Sequence, residues 1–201
     1  MVVYFKAMKN KVVYSISMAA TFAAIITVCS WISIPVLAVP FTLQTLAIFL
    51  CCWTLDFKTS MFAITAYLLL GIIGVPVFAG FSGGISSILG PTGGYLLGFL
   101  FMPPAYYLIA KLGKNSFVFR TIGLIAALVI CYTFGSLWFY IVYVGKGSPV
   151  SIGQVLSWCV IPFIGPDLVK GLFAVIIGEK LLKSTPLGKY KYSEKNRPVA
   201  Q

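Results

Sequence analysis

Apolar runs long enough to cross a bilayer, parted by charges and by glycine and proline clusters into six segments, constrain this chain more than any other feature. The segments lie near 11–33, 42–55, 59–74, 92–110, 121–144 and 161–182. A globular domain cannot hide this much apolar surface from water, because 60% of the 201 residues are hydrophobic, 9% are charged, and the mean hydropathy is +0.99. The bilayer must be the main solvent, and the expected fold is an all-α integral membrane protein with six transmembrane helices in a single domain. A crossing takes about 17–25 residues. The second and third segments are shorter than most, so they either stand with little tilt or flank a region where the protein supplies its own polar surroundings.

The basic residues orient the chain. Lys6, Lys9 and Lys11 stand at its start, Lys58 separates the second and third segments, and Lys111, Lys114 and Arg120 separate the fourth and fifth. Lys180, Lys183, Lys189, Lys191, Lys195 and Arg197 stand at and beyond the end of the sixth, while the opposite side holds only Lys146. Basic residues favour the cytoplasmic side of short loops, so both termini are expected in the cytoplasm. The same placement accounts for the net charge of +11 without nucleic acid as a partner. The basic stretch 184–201 is expected to be a disordered cytoplasmic tail touching anionic lipid. The first run is too long for a secretory signal and is followed by five more, so it is expected to be a retained helix. The last three segments do not visibly repeat the first three, which leaves an inverted-repeat transporter unsupported.

The chain contains no histidine, which removes the commonest general acid/base and the commonest metal ligand. Cys29, Cys51, Cys52, Cys131 and Cys159 all lie in apolar runs with no metal-binding spacing, and are expected to pack as small hydrophobes. Among the four acids, Asp56 sits beside Lys58 in a turn, Glu179 beside Lys180 at a helix end, and Glu194 in the tail. Asp167 differs. It stands in PDLVKG, Pro166 to Gly171, three residues before Lys170, the only basic residue well inside a segment. A helix beginning near Pro166 would use proline at its first turn and bring Asp167 and Lys170 onto one face. It would run about 25 Å to Lys183, setting the pair in the outer part of the membrane. Charges at that depth cost a few kcal/mol unless paired or opened to water. Two readings follow: a neutralised pair that pins the last helix, or a polar clamp for a ligand entering from outside, with Asp167 accepting from N–H donors and Lys170 donating to a carbonyl or carboxylate.

The stretch from Gly71 to Phe99 is rich in glycine, with Gly83 and Gly84 at its centre and Ser82, Ser86, Ser87 and Thr92 offering hydroxyls. A loop of about 16 residues exceeds the usual connection and points to a lid or binding loop. It lacks the Gly-Lys-Ser/Thr of a phosphate-binding loop, so nucleotide hydrolysis by that route is not expected. Phe41, Phe78 and Tyr95 flank the outer mouth, where they can stack on an apolar ligand body. Gln44 and Ser82 lie at the same mouth. Small residues at four-residue spacing, Ala19 with Ala23, Ala20 with Ala24 and Gly94 with Gly98, let helices approach closely, either within the chain or on a partner.

VPFTLQTLAIFL (Val39 to Leu50), GVPVFAG (Gly74 to Gly80), GPTGGYLLGF (Gly90 to Phe99) and PDLVKG together resemble the BioY family, the biotin-binding substrate-capture (S) components of energy-coupling-factor transporters. The resemblance covers almost the whole chain, leaving Met1–Ala7 unmatched and 145–160 loosely matched. It implies six membrane helices, and biotin taken from outside under the loops joining the first two and the third and fourth. It implies a subunit that is no enzyme and has no ATPase of its own. The implied partners are a transmembrane coupling protein (EcfT), docked on small-residue faces such as Ala19, Ala20, Ala23 and Ala24, and two cytoplasmic ATP-binding subunits (EcfA-type). No cofactor is expected; biotin is the transported ligand. Asp167, Lys170 and Tyr95 match the family's polar pair and motif tyrosine, and whether Lys170 meets the carbonyl or the carboxylate of biotin stays open. The other readings are capture of a different vitamin and a membrane protein with no transport role. An integral-membrane enzyme lacks the residues for proton transfer or metal chemistry.

Overall fold

The computed structural model describes residues 2–35, 39–147 and 150–184, with side chains from residue 12 onward. Helices α1 (Val2–Trp31), α2 (Gln44–Thr54), α3 (Phe57–Ile72), α4 (Ile85–Leu89), α5 (Gly93–Leu112), α6 (Phe117–Gly145), α7 (Ile152–Cys159) and α8 (Ile161–Ser184) follow in order. Strands β1 (Ser33–Ile34) and β2 (Phe41–Thr42) pair antiparallel between α1 and α2, with Ser33 opposite Thr42. The proposed tail beyond Ser184 and the side chains of Lys6, Lys9 and Lys11 lie outside the described residues.

Helices stand at all six apolar segments, but among the described residues four spans have the length and apolarity to cross a membrane: Val12–Trp31, Gly93–Leu112, Phe117–Gly145 and the nearly continuous Ile152–Ser184. α2, at 11 residues, is shorter than a crossing. Its Ala47, Ile48, Cys51, Cys52 and Trp53 are all buried, so neighbouring helices and not lipid surround it. Outward faces carry large exposed apolar side chains such as Ile16, Phe62, Ile125, Leu137 and Ile176, a surface that only hydrocarbon solvates at little cost. The ends are made by polar side chains. Asp56 accepts from Thr59 N at 3.2 Å to start α3, and Ser151 with Gln154 forms a capping box on α7.

α8 begins five residues earlier than Pro166, at Ile161. Pro162 takes the first-turn place where a missing N–H costs nothing, and Pro166 falls in the second turn. The glycine-rich stretch is not a bare loop either. It folds into a 3-10 turn at Ala79–Phe81 and then α4, and is tied to α1 by Trp31 Nε1 donating to Pro76 O at 2.8 Å. Gly84 has φ +89°, and a Cβ on Gly83 would stand 2.5 Å from Val75 O, so these two glycines shape the turn.

The small-residue spacings divide by face. A Cβ on Gly94 would stand 2.1 Å from Trp138 Cβ, and Gly98 faces Cys131, so this pair is the seam between α5 and α6. Ala19 and Ala23 are buried within the bundle and cannot form part of an outer docking face, which corrects that half of the expectation. Ala20 and Ala24, turned about 100° away on the helix, are exposed. Gly94→Ala must push α5 from α6 and is expected to destabilise the protein by about 1–3 kcal/mol. Gly153→Ala, where a Cβ on α7 would meet only Ser151 Oγ at 3.9 Å, is the matched control. A thermal unfolding midpoint in detergent that falls for the first and not the second meets the expectation; equal midpoints refute it.

Candidate functional site

A cavity opens at one end of the bundle, where the β1–β2 hairpin and the start of α2 meet the glycine-rich segment, α5, α6, α7 and α8. From the hairpin and α2 come Val39, Pro40, Thr42, Gln44 and Thr45; from the glycine-rich segment, Phe78, Ala79, Ser82, Ser87 and Thr92. Tyr95, Leu96 and Phe99 of α5, Cys131 and Tyr132 of α6, and Cys159, Phe163 and Asp167 of α7 and α8 complete the wall. The lining is mostly apolar with a few convergent polar groups, as in small-molecule sites generally.

The polar groups converge on Asp167. Its Oδ1 accepts from Lys170 Nζ at 2.7 Å and from Thr45 Oγ1 at 2.9 Å, and its Oδ2 accepts from the Tyr132 hydroxyl at 2.6 Å. Lys170 also donates to Thr42 O at 2.6 Å and lies 3.9 Å from the centre of the Phe41 ring. Asp167 is 3% exposed and Lys170 6%, so this is a buried ion pair whose lone pairs and protons are largely satisfied, the condition under which such a pair is tolerable. The pair also ties α8 to the first turn of α2.

The expected site residues divide. Asp167, Tyr95, Gln44, Phe78 and Ser82 line the cavity. Tyr95 OH donates to Cys159 O at 3.4 Å and lies 3.2 Å from Ser136 Oγ; Gln44 Nε2 donates to Tyr67 OH; and Ser82 Oγ donates to Ala79 O at 2.8 Å. Lys170 and Phe41 stand behind this lining, with Phe41 stacked on Phe163 at 6.4 Å, and Gly83 and Gly84 shape the backbone of the segment above. Thr45 and Tyr132 did not emerge from the sequence reading. A tyrosine near the middle of an apolar run was the available signal for Tyr132. Thr45, one residue past Gln44, had none. Cys131 and Cys159 are buried as expected and also border the cavity. The α7 stretch from Ser151 is amphipathic, with Val155 and Cys159 facing the core.

The opposite end carries a second polar cluster. Arg120, expected in a cytoplasmic turn, lies in the first turn of α6 and is 7% exposed. Its guanidinium donates to Glu179 Oε1 at 3.1 Å, Trp53 O at 2.9 Å and Tyr106 OH at 3.2 Å, and stacks 3.8 Å over the Trp53 ring. Glu179 also accepts from Trp53 Nε1 at 3.0 Å, so its partner is not the adjacent Lys180 but an arginine 59 residues away.

The model of the BioY family matches residues 5–187, including the 145–160 region. The chain is 41% identical over 167 residues to the biotin transporter BioY of Thermotoga maritima, covering 82% of this chain and 94% of that one. It is 39% identical over 170 residues to a probable biotin transporter BioY of Pyrococcus horikoshii, covering 85% and 97%. Its fold is similar to the crystal structure of the S-component for biotin from an ECF-type ABC transporter, with a TM-score of 0.78, 27% identity, and coverage of 90% of this chain and 97% of that one.

Proposed function

This chain belongs to the BioY family, and from that premise we propose that it captures biotin and serves its uptake as the substrate-specific subunit of an energy-coupling-factor importer in the cell membrane. It is a transporter subunit and not an enzyme, and it uses no cofactor. All six apolar segments lie in one bilayer-embedded domain, the shortest, α2, sheltered by the others, with both termini cytoplasmic and the cavity open to the outside. A transmembrane coupling protein docks on the exposed Ala20 and Ala24 face, and two cytoplasmic ATP-binding subunits supply the energy.

One observation carries the assignment of the site: the carboxylate of a buried, membrane-depth ion pair forms part of the wall of an otherwise apolar cavity. Biotin offers an apolar bicycle, two ureido N–H donors, a ureido carbonyl and a terminal carboxylate. Asp167 suits the donors. Phe78, Tyr95 and Phe99 suit the bicycle. Lys170 is the counter-charge of Asp167 and turns to the ligand's carbonyl or carboxylate, Gln44 and Ser82 complete the mouth with Phe41 backing it, and the segment around Gly83 and Gly84 covers it.

Calorimetric titration of biotin into the detergent-purified protein and into Asp167→Asn tests this. Tight binding, weakened at least tenfold by the substitution, is the expected result, which corresponds to about 1.4 kcal/mol. Binding unchanged in Asp167→Asn overturns the site. A folded wild-type protein that ignores biotin and binds another vitamin overturns the ligand.

A further inference from the structure

Tyr132 is the residue at the cavity whose placement the family reading leaves unexplained. Its ring borders two spaces: the ligand cavity, and an apolar groove between α6, α7 and α8 lined by Ile125, Val129, Leu137, Leu156, Ile164 and Leu168. These helices belong to the membrane-length spans, so the groove faces hydrocarbon. Tyr132 is therefore the partition between ligand and lipid, and its hydroxyl meets Asp167 Oδ2 at 2.6 Å.

The two oxygens of Asp167 are held differently. Oδ1 takes two donors, Lys170 Nζ and Thr45 Oγ1. Oδ2 takes a single one among the described residues, the Tyr132 hydroxyl, and so keeps one lone pair for a further donor. The last torsion of an aspartate is broad, and a carboxylate anchored at one oxygen can still swing about that anchor. Anchoring the second oxygen fixes its plane. Of the other hydroxyls bordering the groove, Thr133 Oγ1 donates to Val129 O at 2.8 Å, Ser136 is bonded with Tyr95, and Tyr140 stands about two helical turns further along α6. Hydrocarbon offers no donor to replace them.

We infer that Tyr132 is a positioning residue that sets the plane of the Asp167 carboxylate, so that the free lone pair of Oδ2 is presented to a ligand N–H. The inference rests on the biotin reading of the site for its ligand, while the infrared band reports on the Tyr132–Asp167 geometry whether or not biotin binds.

Tyr132→Phe keeps the ring as a partition and removes only the hydroxyl. Two measurements are made on it and on the wild type: biotin affinity by calorimetry, and the carboxylate stretch of protein labelled with [4-13C]aspartate by infrared spectroscopy. The chain has two aspartates, Asp56 and Asp167, and Asp56 caps α3 among its own neighbours, so the difference spectrum isolates Asp167. The expected result is a shifted and broadened Asp167 band with biotin bound about tenfold more weakly, the effect of losing one hydrogen bond to a charged group. An unmoved band overturns the inference, whatever the affinity does, because the hydroxyl then does not act through Asp167. A moved band with unchanged affinity overturns it as well. If the wild type binds no biotin, the ligand reading falls, and the inference that Tyr132 orients the residue for it falls with it; the band then reports only on the hydrogen bond itself.

Discussion

Lys170→Met is expected to destabilise the folded protein by about 3–5 kcal/mol, the cost of leaving one member of a buried ion pair without its partner. Asp167 is 3% exposed, and without Lys170 it keeps only the neutral donors Thr45 and Tyr132. The Thr42 carbonyl loses its donor at the same stroke, and Phe41 loses the cation over its ring. The double variant Asp167→Asn, Lys170→Met is expected to regain most of that stability, because a neutral amide needs no counter-charge and can still bond with Thr45 and Tyr132. It is not expected to regain biotin binding. Unfolding midpoints of the wild type, the single variant and the double variant in one detergent decide this. A double variant as unstable as Lys170→Met would mean that the ammonium's bond to Thr42 O and its contact with Phe41, and not its pairing with Asp167, account for the loss.

At the other end, Glu179→Gln is expected to cost about 3 kcal/mol, the lower end of the same range. The substitution keeps an acceptor for Trp53 Nε1 but leaves the Arg120 guanidinium, 7% exposed, with no anion. Arg120 retains Trp53 O, Tyr106 OH and the Trp53 ring, and the Glu179 side chain is 29% exposed, so solvent already screens part of the attraction. The Glu179 site lies away from the cavity, so biotin affinity should stay within about twofold of wild type. A loss below about 1 kcal/mol would place this pair with ordinary surface bridges. A large loss of affinity would mean that the two ends of α8 are coupled.

The charges of the candidate site were legible in the sequence because an ionisable side chain within an apolar run is anomalous by itself. Its hydroxyl partners were not. Thr27 and Thr133 donate to carbonyls four residues back on their own helices, at 2.9 and 2.8 Å, whereas Thr45 donates to a carboxylate 122 residues away. Nothing local separates these threonines. Arg120 misled the reading for a related reason: it follows the polar turn at Lys114, Asn115 and Ser116 and looks like a loop cation, yet its side chain turns inward.

What the sequence alone determined is what depends on short-range sums of hydrophobicity and on motif identity: the membrane class, the six apolar segments, the polar pair and the family. Tertiary structure alone decided which of two adjacent alanine stripes is buried, that Lys170 stands behind the cavity wall while Asp167 lines it, and that Tyr132 and Thr45 hold the carboxylate. Burial in a bilayer follows from composition along the chain and requires no partner. A hydrogen bond or a buried face requires one, and which residue arrives there is set by how α2, α6 and α8 pack.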